Sequence, residues 1–245
     1  MSSNWMPHLS HVGNQPATIV VDLGVEEADI SRLPYSVRVR VAVREWGDTG
    51  FPSREDSDEV SALDDSLNAA LTSDERYVGR VTTHDAYFLH IYTCRPEQCE
   101  AVVREVAGGF KGRSVETRVV NDEGCSVYFE QLYPGRVELQ AFQDDAVLRT
   151  LQEHGDSLSK LRPVDHWFYL PNTAARAKLA ERLCKSGFSV LSQPESDSPS
   201  TPFGLHVVRE ESVQTERIKP VTAWLLQLAE EHGGEYDGWE TSIEK

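Results

Sequence analysis

An aspartate next to a histidine is the pair of residues that most invites a catalytic interpretation. Asp165 and His166 are adjacent, and a carboxylate bonded to an imidazole can orient it as a general base. Both residues lie in a run that alternates apolar and polar side chains, which is typical of a β-strand, and adjacent strand residues point to opposite faces. The two side chains therefore cannot readily pair, and we predict that the chain is not an enzyme.

The other residues that could support chemistry lack the spacing that such chemistry needs. The remaining histidines show no His-Glu-x-x-His or comparable ligand spacing, and neither a Gly-rich phosphate loop nor a Gly-x-Ser-x-Gly elbow occurs. Only two of the four cysteines, Cys94 and Cys99, are close in sequence, which is weak support for zinc. We predict no catalytic residue, no metal and no cofactor, and we expect buried, reduced thiols.

The strong acidity of the chain bears on the class of its partner. Its 245 residues carry 24 Lys or Arg against 40 Asp or Glu, a formal net charge of -16. Basic side chains must meet a phosphate backbone, so direct binding of nucleic acid is disfavoured, and an acidic surface also repels anionic membranes. It attracts basic proteins, although acidity can equally serve solubility alone. We see no secretory leader and no apolar membrane span, and we expect a cytoplasmic protein.

The apolar periodicity predicts two successive domains with the same order of elements. Residues 35–120 follow the order strand, helix, strand, strand, helix, strand, and residues 164–243 repeat it after a linking helix over 139–154. This order is typical of ferredoxin-like βαββαβ folds. We therefore predict an α+β protein with domains at 1–134 and 135–245, each an antiparallel sheet with helices on one face.

Two segments outside these patterns also receive a prediction. Residues 17–23 are β-branched and predict the first strand, after a polar lead-in that contains Pro7 and Pro16. Residues 126–131 are expected to form a strand that pairs with residues 113–120.

The strand order of a ferredoxin-like sheet, 4-1-3-2, places two motifs of the second domain side by side. Its first and last strands are antiparallel neighbours, so Asp165-His166-Trp167 should approach Gly238-Trp239-Glu240-Thr241. Alternation assigns one set of side chains to the core and another to the open face. The core set is Val164, His166, Phe168 and Leu170, and the open set is Asp165, Trp167 and Tyr169. Tyr236 and Trp239 are expected on opposite faces, so at least one of them should anchor the core.

Three motifs in the second domain occur in an order that is found in a known family. They are Asp145-Ala146-Val147-Leu148 followed by Leu151, Gly155 and Asp156; Arg162-Pro163-Val164-Asp165-His166-Trp167; and the closing Gly233-Gly234-Glu235-Tyr236-Asp237-Gly238-Trp239-Glu240-Thr241. Together, over about residues 140–245, they resemble the RraB family, bacterial regulators of ribonuclease E. The resemblance implies a ferredoxin-like fold that binds and inhibits this endoribonuclease. The better-known members are single-domain chains, whereas here another domain precedes the motifs.

The first domain resembles a second family. Trp5, the strands over 19–23 and 35–43, and the segment 77–82 are similar to a bacterial domain family of unknown function, number 695 in its series. This resemblance implies no activity.

Two functions remain open from the sequence. The first is a non-enzymatic regulator whose second domain binds ribonuclease E or a related basic protein, because aromatic anchors and acidic side chains suit such an interface. Its candidate partner-binding residues are Asp165, Trp167, Tyr169, Glu235, Asp237, Trp239 and Glu240. The second is a structural or dimerising module without a ribonuclease partner, in which another domain or subunit covers the open face. The oligomeric state stays open.

Overall fold

Two antiparallel sheets, one in each half of the chain, organise the fold. The computed structural model describes residues 4–48 and 50–244. It divides into two units, Met1–Tyr133 and Pro134–Lys245, with a sheet of six strands in the first and of four in the second. The predicted α+β class is confirmed, and each unit contains the ferredoxin-like arrangement.

The first unit extends a βαββαβ core with an additional hairpin. Its elements are β1 (Trp5–Val12), β2 (Gln15–Asp22), α1 (Glu27–Ile30), β3 (Tyr35–Ala42), α2 (Arg54–Ala70), β4 (Glu75–Thr82), β5 (Ala86–Thr93), α3 (Pro96–Gly108), β6 (Val115–Asn121) and a π-helix (Val127–Leu132). The sheet order is β1-β2-β4-β5-β3-β6. Strands β3 to β6 thus have the 4-1-3-2 order, and the β1–β2 hairpin adds to the β4 edge.

One face of this sheet forms the core with α2 and α3. The alternation of apolar and polar residues over 35–43 predicts Val37, Val39 and Val41 on one face of β3, and all three are fully buried. They pack in one cluster with Val60, Leu63, Leu67 and Val103. Burying one such side chain stabilises the fold by roughly 1.5–3 kcal/mol. This packing leaves the opposite face of the sheet without α2 and α3.

The predicted polar lead-in before residue 17 is wrong. Residues 5–12 form β1, which pairs with β2 over eight positions from Trp5–Asp22 to Val12–Gln15. Pro7 fits because a proline, which has no ladder donor, is tolerated on an edge strand. The turn contains Gly13-Asn14, and Gly13 takes a φ of +61° that favours glycine. This dipeptide was the overlooked hairpin signal.

The strand predicted over residues 126–131 is also wrong. This segment is the π-helix, and the Asp122 carboxylate caps its start by accepting from Ser126 N, Ser126 Oγ and Val127 N at 2.9, 2.7 and 3.0 Å. The hydroxyl of Tyr128 donates to the buried Asp22 carbonyl at 2.7 Å. An aspartate that satisfies successive backbone N–H groups favours a helical start over a sheet ladder.

The second unit has the plain ferredoxin-like order preceded by a helix. Its elements are α4 (Arg136–Glu153), β7 (Arg162–Leu170), α5 (Thr173–Lys185), β8 (Ser189–Ser192), β9 (Phe203–Glu211), α6 (Thr215–Glu231) and β10 (Glu235–Thr241). The sheet order is β10-β7-β9-β8, with all pairs antiparallel. The apolar spacing of the sequence predicts helices over residues 173–185 and about 215–231, and α5 and α6 have these bounds.

The cysteines are free, but not all are buried. Cys99 and Cys125 are buried, whereas Cys94 and Cys184 are exposed. The expectation of burial is therefore wrong for Cys94, which lies just after β5, and for Cys184, which lies beside the inward Leu183 of α5.

None of the helices in residues 4–48 and 50–244 has the length and apolar character to span a membrane.

Candidate interaction surface

The pairing of β7 with β10 brings the predicted acidic and aromatic residues together. Tyr169 lies opposite Glu235, Trp167 opposite Gly238, and Asp165 opposite Glu240. Residues directly opposite in a ladder share a face, so these side chains occupy the side of the sheet away from the helices. Here "open face" means Asp165, Trp167, Tyr169, His206, Glu235 and Glu240, together with Asp237 of the same edge strand.

The inward side of β7 agrees with the prediction. Val164, His166, Phe168 and Leu170 are all fully buried. Phe168 and Leu170 pack with α5 and α6 in one cluster, and Val164 packs with α4 and the start of α6 in another. Asp165, Trp167 and Tyr169 are half-buried on the other side, while Glu235, Asp237 and Glu240 are exposed.

The expectation that Tyr236 and Trp239 face opposite sides is wrong. A bulge between Tyr236 and Gly238 inserts Asp237 and shifts the alternation by one residue. Gly238 has a φ of +121°, which a glycine adopts without strain. Both aromatic side chains are consequently buried, at 6% and 8% exposure. Trp239 thus lies in the core and contributes little to the exposed surface.

A buried carboxylate explains why Trp239 faces inward. Asp144 Oδ1 accepts from Trp239 Nε1 at 2.9 Å and from Gln140 Nε2 at 2.8 Å, and Oδ2 accepts from Thr222 Oγ1 at 2.6 Å. Asp144 therefore joins α4, α6 and β10. Sequence reasoning missed it, although it directly precedes the motif that begins at Asp145.

A buried ion pair connects the motif that begins at Asp145 with the motif that begins at Arg162. Arg162 donates through Nη1 and Nη2 to the Asp156 carboxylate, and both side chains are at most 1% exposed. Asp156 also accepts from the backbone N–H groups of Leu158 and Glu244 at 2.7 and 2.8 Å. The hydrogen bonds from Arg162, ahead of those from the backbone, hold the pKa of Asp156 well below its usual range. Asp156 and Arg162 are thus structural residues.

His166 belongs to a buried network that does not include Asp165. Its Nδ1 lies 2.8 Å from the Tyr236 hydroxyl and its Nε2 lies 3.4 Å from Glu211 Oε1. Burial lowers the pKa of His166, and the Glu211 carboxylate only partly opposes this effect. The neutral ring then donates from Nε2 to Glu211 and accepts at Nδ1 from Tyr236. Because both ring nitrogens are bonded to protein groups, His166 has a structural role.

Acidification should destabilise the second unit through His166. Its pKa is lower in the folded state than in the unfolded chain, so the unfolded state binds more protons between the two values and the free energy of unfolding rises with pH in that window. Urea unfolding from pH 8 to pH 5, followed through NMR signals of the second unit, should show this slope. A His166→Gln variant should be less stable at pH 8 but less sensitive to acid, and an unchanged slope in the variant would contradict the role of His166.

The open face carries an ordered aromatic pair that sequence reasoning missed. The Trp167 indole stacks on the His206 imidazole with 3.8 Å between ring centroids and 10° between planes. His206 Nε2 lies 2.6 Å from Asp165 Oδ1, which fixes the imidazole in place. The signal for His206 was available only from the register, which puts it opposite Trp167. Asp165, Trp167 and His206 thus form a preorganised platform.

Three acids near this platform have no cationic partner among the described residues. Among the described residues, Glu235, Asp237 and Glu240 form no ion pair, while other acids of this unit do, such as Glu211 with Arg209. In the same part of the chain no group of three or more His, Cys, Asp or Glu could hold a metal ion. The surface therefore offers stacking area and unpaired negative charge.

These features define a two-unit α+β protein whose second unit exposes an acidic, aromatic sheet face. The chain belongs to the family of unknown function DUF695, whose model matches residues 3–133. Residues 142–241 match the model of the family Regulator of ribonuclease activity B. Both resemblances predicted from sequence are thereby confirmed.

Two individual proteins are similar to this chain to different extents. The Regulator of ribonuclease activity B of Photobacterium profundum is 29% identical over 117 residues, which cover 46% of this chain and 87% of the relative. A crystal structure of an unknown protein from Galdieria sulphuraria covers 85% of this chain and 98% of its own, with 13% identity and a TM-score of 0.23, which is too low to support any conclusion. The residues matched by the regulator family model, 142–241, lie in the second unit.

Proposed function

We propose that the protein is a non-enzymatic regulator whose second unit binds a basic segment of a ribonuclease, with ribonuclease E as the specific candidate. The observation that carries this proposal is the Trp167–His206 platform, with Glu235, Asp237 and Glu240 nearby on β10 and unpaired among the described residues. The match to the regulator family supports a ribonuclease as the class of partner. The named regulator of Photobacterium profundum supports the same choice.

The composition of the open face suits a basic protein partner. Aromatic side chains contribute much of the binding energy at protein interfaces, and Trp167 is already ordered by stacking, which reduces the entropy lost on binding. Exposed carboxylates select basic partners and accelerate association. From residue 135 onward the chain has 12 basic and 18 acidic side chains, so the net charge of the second unit is negative, as is that of the open face.

The edge strand adds a possible backbone contribution. Strand β10 is at one edge of the sheet and pairs with β7 among the described strands. An extended partner segment could add to such an edge by main-chain hydrogen bonds, while its basic side chains meet Glu235, Asp237 and Glu240. The inhibitory contact would then combine the edge with the open face.

Removing the three unpaired acids should weaken binding and reduce its dependence on salt. We expect the variant Glu235→Gln, Asp237→Asn, Glu240→Gln to bind purified ribonuclease E less tightly at low salt, with a flatter decrease as salt is added, because charge pairs at an interface are screened. The matched control replaces Glu153, Glu216 and Glu231, three exposed acids of α4 and α6, by Gln. Equal losses in the two variants would show that net charge, and not this surface, controls binding.

The regulatory part of the proposal has its own assay. Cleavage of a fluorescent single-stranded RNA by ribonuclease E should slow as the full chain is added, and the acid-depleted variant should slow it less at the same concentration. RNA alone serves as a separate titrant. Unchanged cleavage despite tight binding would refute inhibition, while binding of RNA alone would refute a protein-directed mechanism.

A further inference from the structure

Two adjoining cavities lie on the face of the first sheet that α2 and α3 leave uncovered. They have volumes of about 370 and about 160 Å³. Arg38, His90 and Gln131 line both, so the two cavities form one continuous site. The larger part has an apolar wall that includes Val81 and Phe88. Gln131 belongs to the π-helix, and π-helical turns occur frequently at functional sites.

Basic side chains from three adjacent strands meet in this site. Arg38 of β3 lies directly opposite His90 of β5 on one side and Arg118 of β6 on the other. Both arginines line the smaller cavity. Like charges directly opposite each other destabilise a sheet. Their juxtaposition therefore needs a compensating interaction.

The described residues do not supply a carboxylate for that compensation. Within residues 4–48 and 50–244 neither Arg38 nor Arg118 forms an ion pair with a carboxylate. Arg40, two residues further along the same face of β3, is paired with Asp85 and Glu116. The Arg38 guanidinium is instead held over the Phe88 ring, 5.1 Å from its centroid. In a chain with a large excess of acids, two facing arginines without a carboxylate partner indicate a site for an external anion.

Two buried polar atoms beside the arginines also lack a partner. His90 Nδ1 and Ser36 Oγ form no hydrogen bond with any described residue, although their residues are only 5% and 1% exposed. An unsatisfied buried polar group destabilises a fold and is rare in folded proteins. Burial, and next the charge of Arg38, lower the pKa of His90 to about 4, so the ring is neutral at pH 7 and retains one N–H donor. The site is thus polar and cationic at one end and apolar at the other.

We propose that this cavity binds a small organic anion, with a carboxylate or phosphate group between Arg38 and Arg118 and an apolar body along Phe88 and Val81. A planar guanidinium binds either oxyanion through two parallel hydrogen bonds. The larger part alone falls within the range of about 300–1,000 Å³ typical of small-molecule sites. Glu130 at the rim of the larger part is exposed and repels the anionic group from that end. This site is independent of the proposed ribonuclease contact, because it lies in the first unit.

Calorimetric titrations of the full chain with four probes test the proposal. Hexanoate and hexyl phosphate represent the two anionic groups, hexanol lacks the charge, and inorganic phosphate lacks the apolar body. We expect saturable binding of at least one of the first two, weaker binding of inorganic phosphate, and no measurable binding of hexanol. Hexanol binding as tightly as the anions, or absence of saturable binding by both amphiphilic anions, would overturn the proposal.

Variants locate the site. Arg38→Gln and Arg118→Gln should each weaken binding of the better anion by roughly tenfold or more, because each removes a charge-assisted contact. Arg40→Gln, whose arginine is already ion-paired, should leave binding unchanged. Arg118 is exposed on edge strand β6, so its replacement preserves the packing even if Arg38→Gln perturbs it. Equal effects of Arg118→Gln and Arg40→Gln would contradict the site.

An independent readout follows from His90. A bound anion stabilises the protonated ring, so it should raise the pKa of His90 from about 4, as observed by NMR of the ring resonances. If the pKa of His90 stays the same at a saturating concentration of the anion, the anion binds elsewhere.

Discussion

Replacement of Arg162 by methionine is expected to lower the free energy of unfolding of the second unit by about 3–5 kcal/mol, the usual effect of removing one partner of a buried ion pair. Asp156 would remain in the core with its charge no longer neutralised. Its backbone donors, Leu158 N and Glu244 N, cannot replace the guanidinium charge. Because the chain has two units, the loss should be measured by hydrogen exchange of β7 amides and not by one overall unfolding curve.

Two further variants separate the ion pair from a general effect of mutation. The double variant Asp156→Leu, Arg162→Met should recover much of the lost stability, since an apolar pair can replace a buried ion pair. Lys185→Met removes an exposed ion pair with Glu181 and should change stability little. A double variant that is less stable than Arg162→Met would show that Asp156 stabilises the unit mainly through its backbone contacts.

Trp167→Ala is expected to weaken binding of the basic partner by about 2 kcal/mol or more, which is roughly thirtyfold in Kd. The substitution removes the stacked ring that orders the open face together with His206. Trp46→Ala is the matched control, because Trp46 is 49% exposed in the first unit, outside the proposed interface. It should bind with wild-type affinity.

Trp167→Phe distinguishes binding from folding. Phenylalanine retains an aromatic ring opposite His206 and should recover part of the affinity. The hydrogen exchange of β7 reports whether either variant perturbs the sheet. Wild-type affinity in a correctly folded Trp167→Ala variant would exclude the platform from the interface.

Local periodicity predicted those parts of the second unit where burial follows directly from spacing. The apolar spacing of α5 and α6 gave their bounds, and the alternation of β7 correctly assigned His166 and Phe168 to the core. Such patterns show which side of a helix or strand is buried, whichever element packs against it. They cannot report features that exist only after two elements pair.

The failures at the open face and its edge strand concern such paired features. The bulge at Asp237 turns both Tyr236 and Trp239 inward, and it depends on the ladder with β7. The platform residue His206 is 41 positions from Asp165, and Asp144 is 95 positions from Trp239. Residues so far apart cannot be connected by inspecting one segment at a time.

The motifs that carry the regulator likeness are largely structural. Asp156 with Arg162, and Asp144 with Trp239, are buried connections, and all four residues lie within the matched range 142–241. A match of this kind reports mainly on the fold of the second unit. The exposed acids and Trp167 carry the functional proposal, and their partner has to be tested directly.

The most direct test is a calorimetric titration of the full chain into purified ribonuclease E at low and at physiological salt. We predict saturable binding at low salt that weakens as salt is added, because the open face is acidic. A protein that keeps its fold but gives no binding at low salt would contradict the proposal that the second unit recognises this ribonuclease.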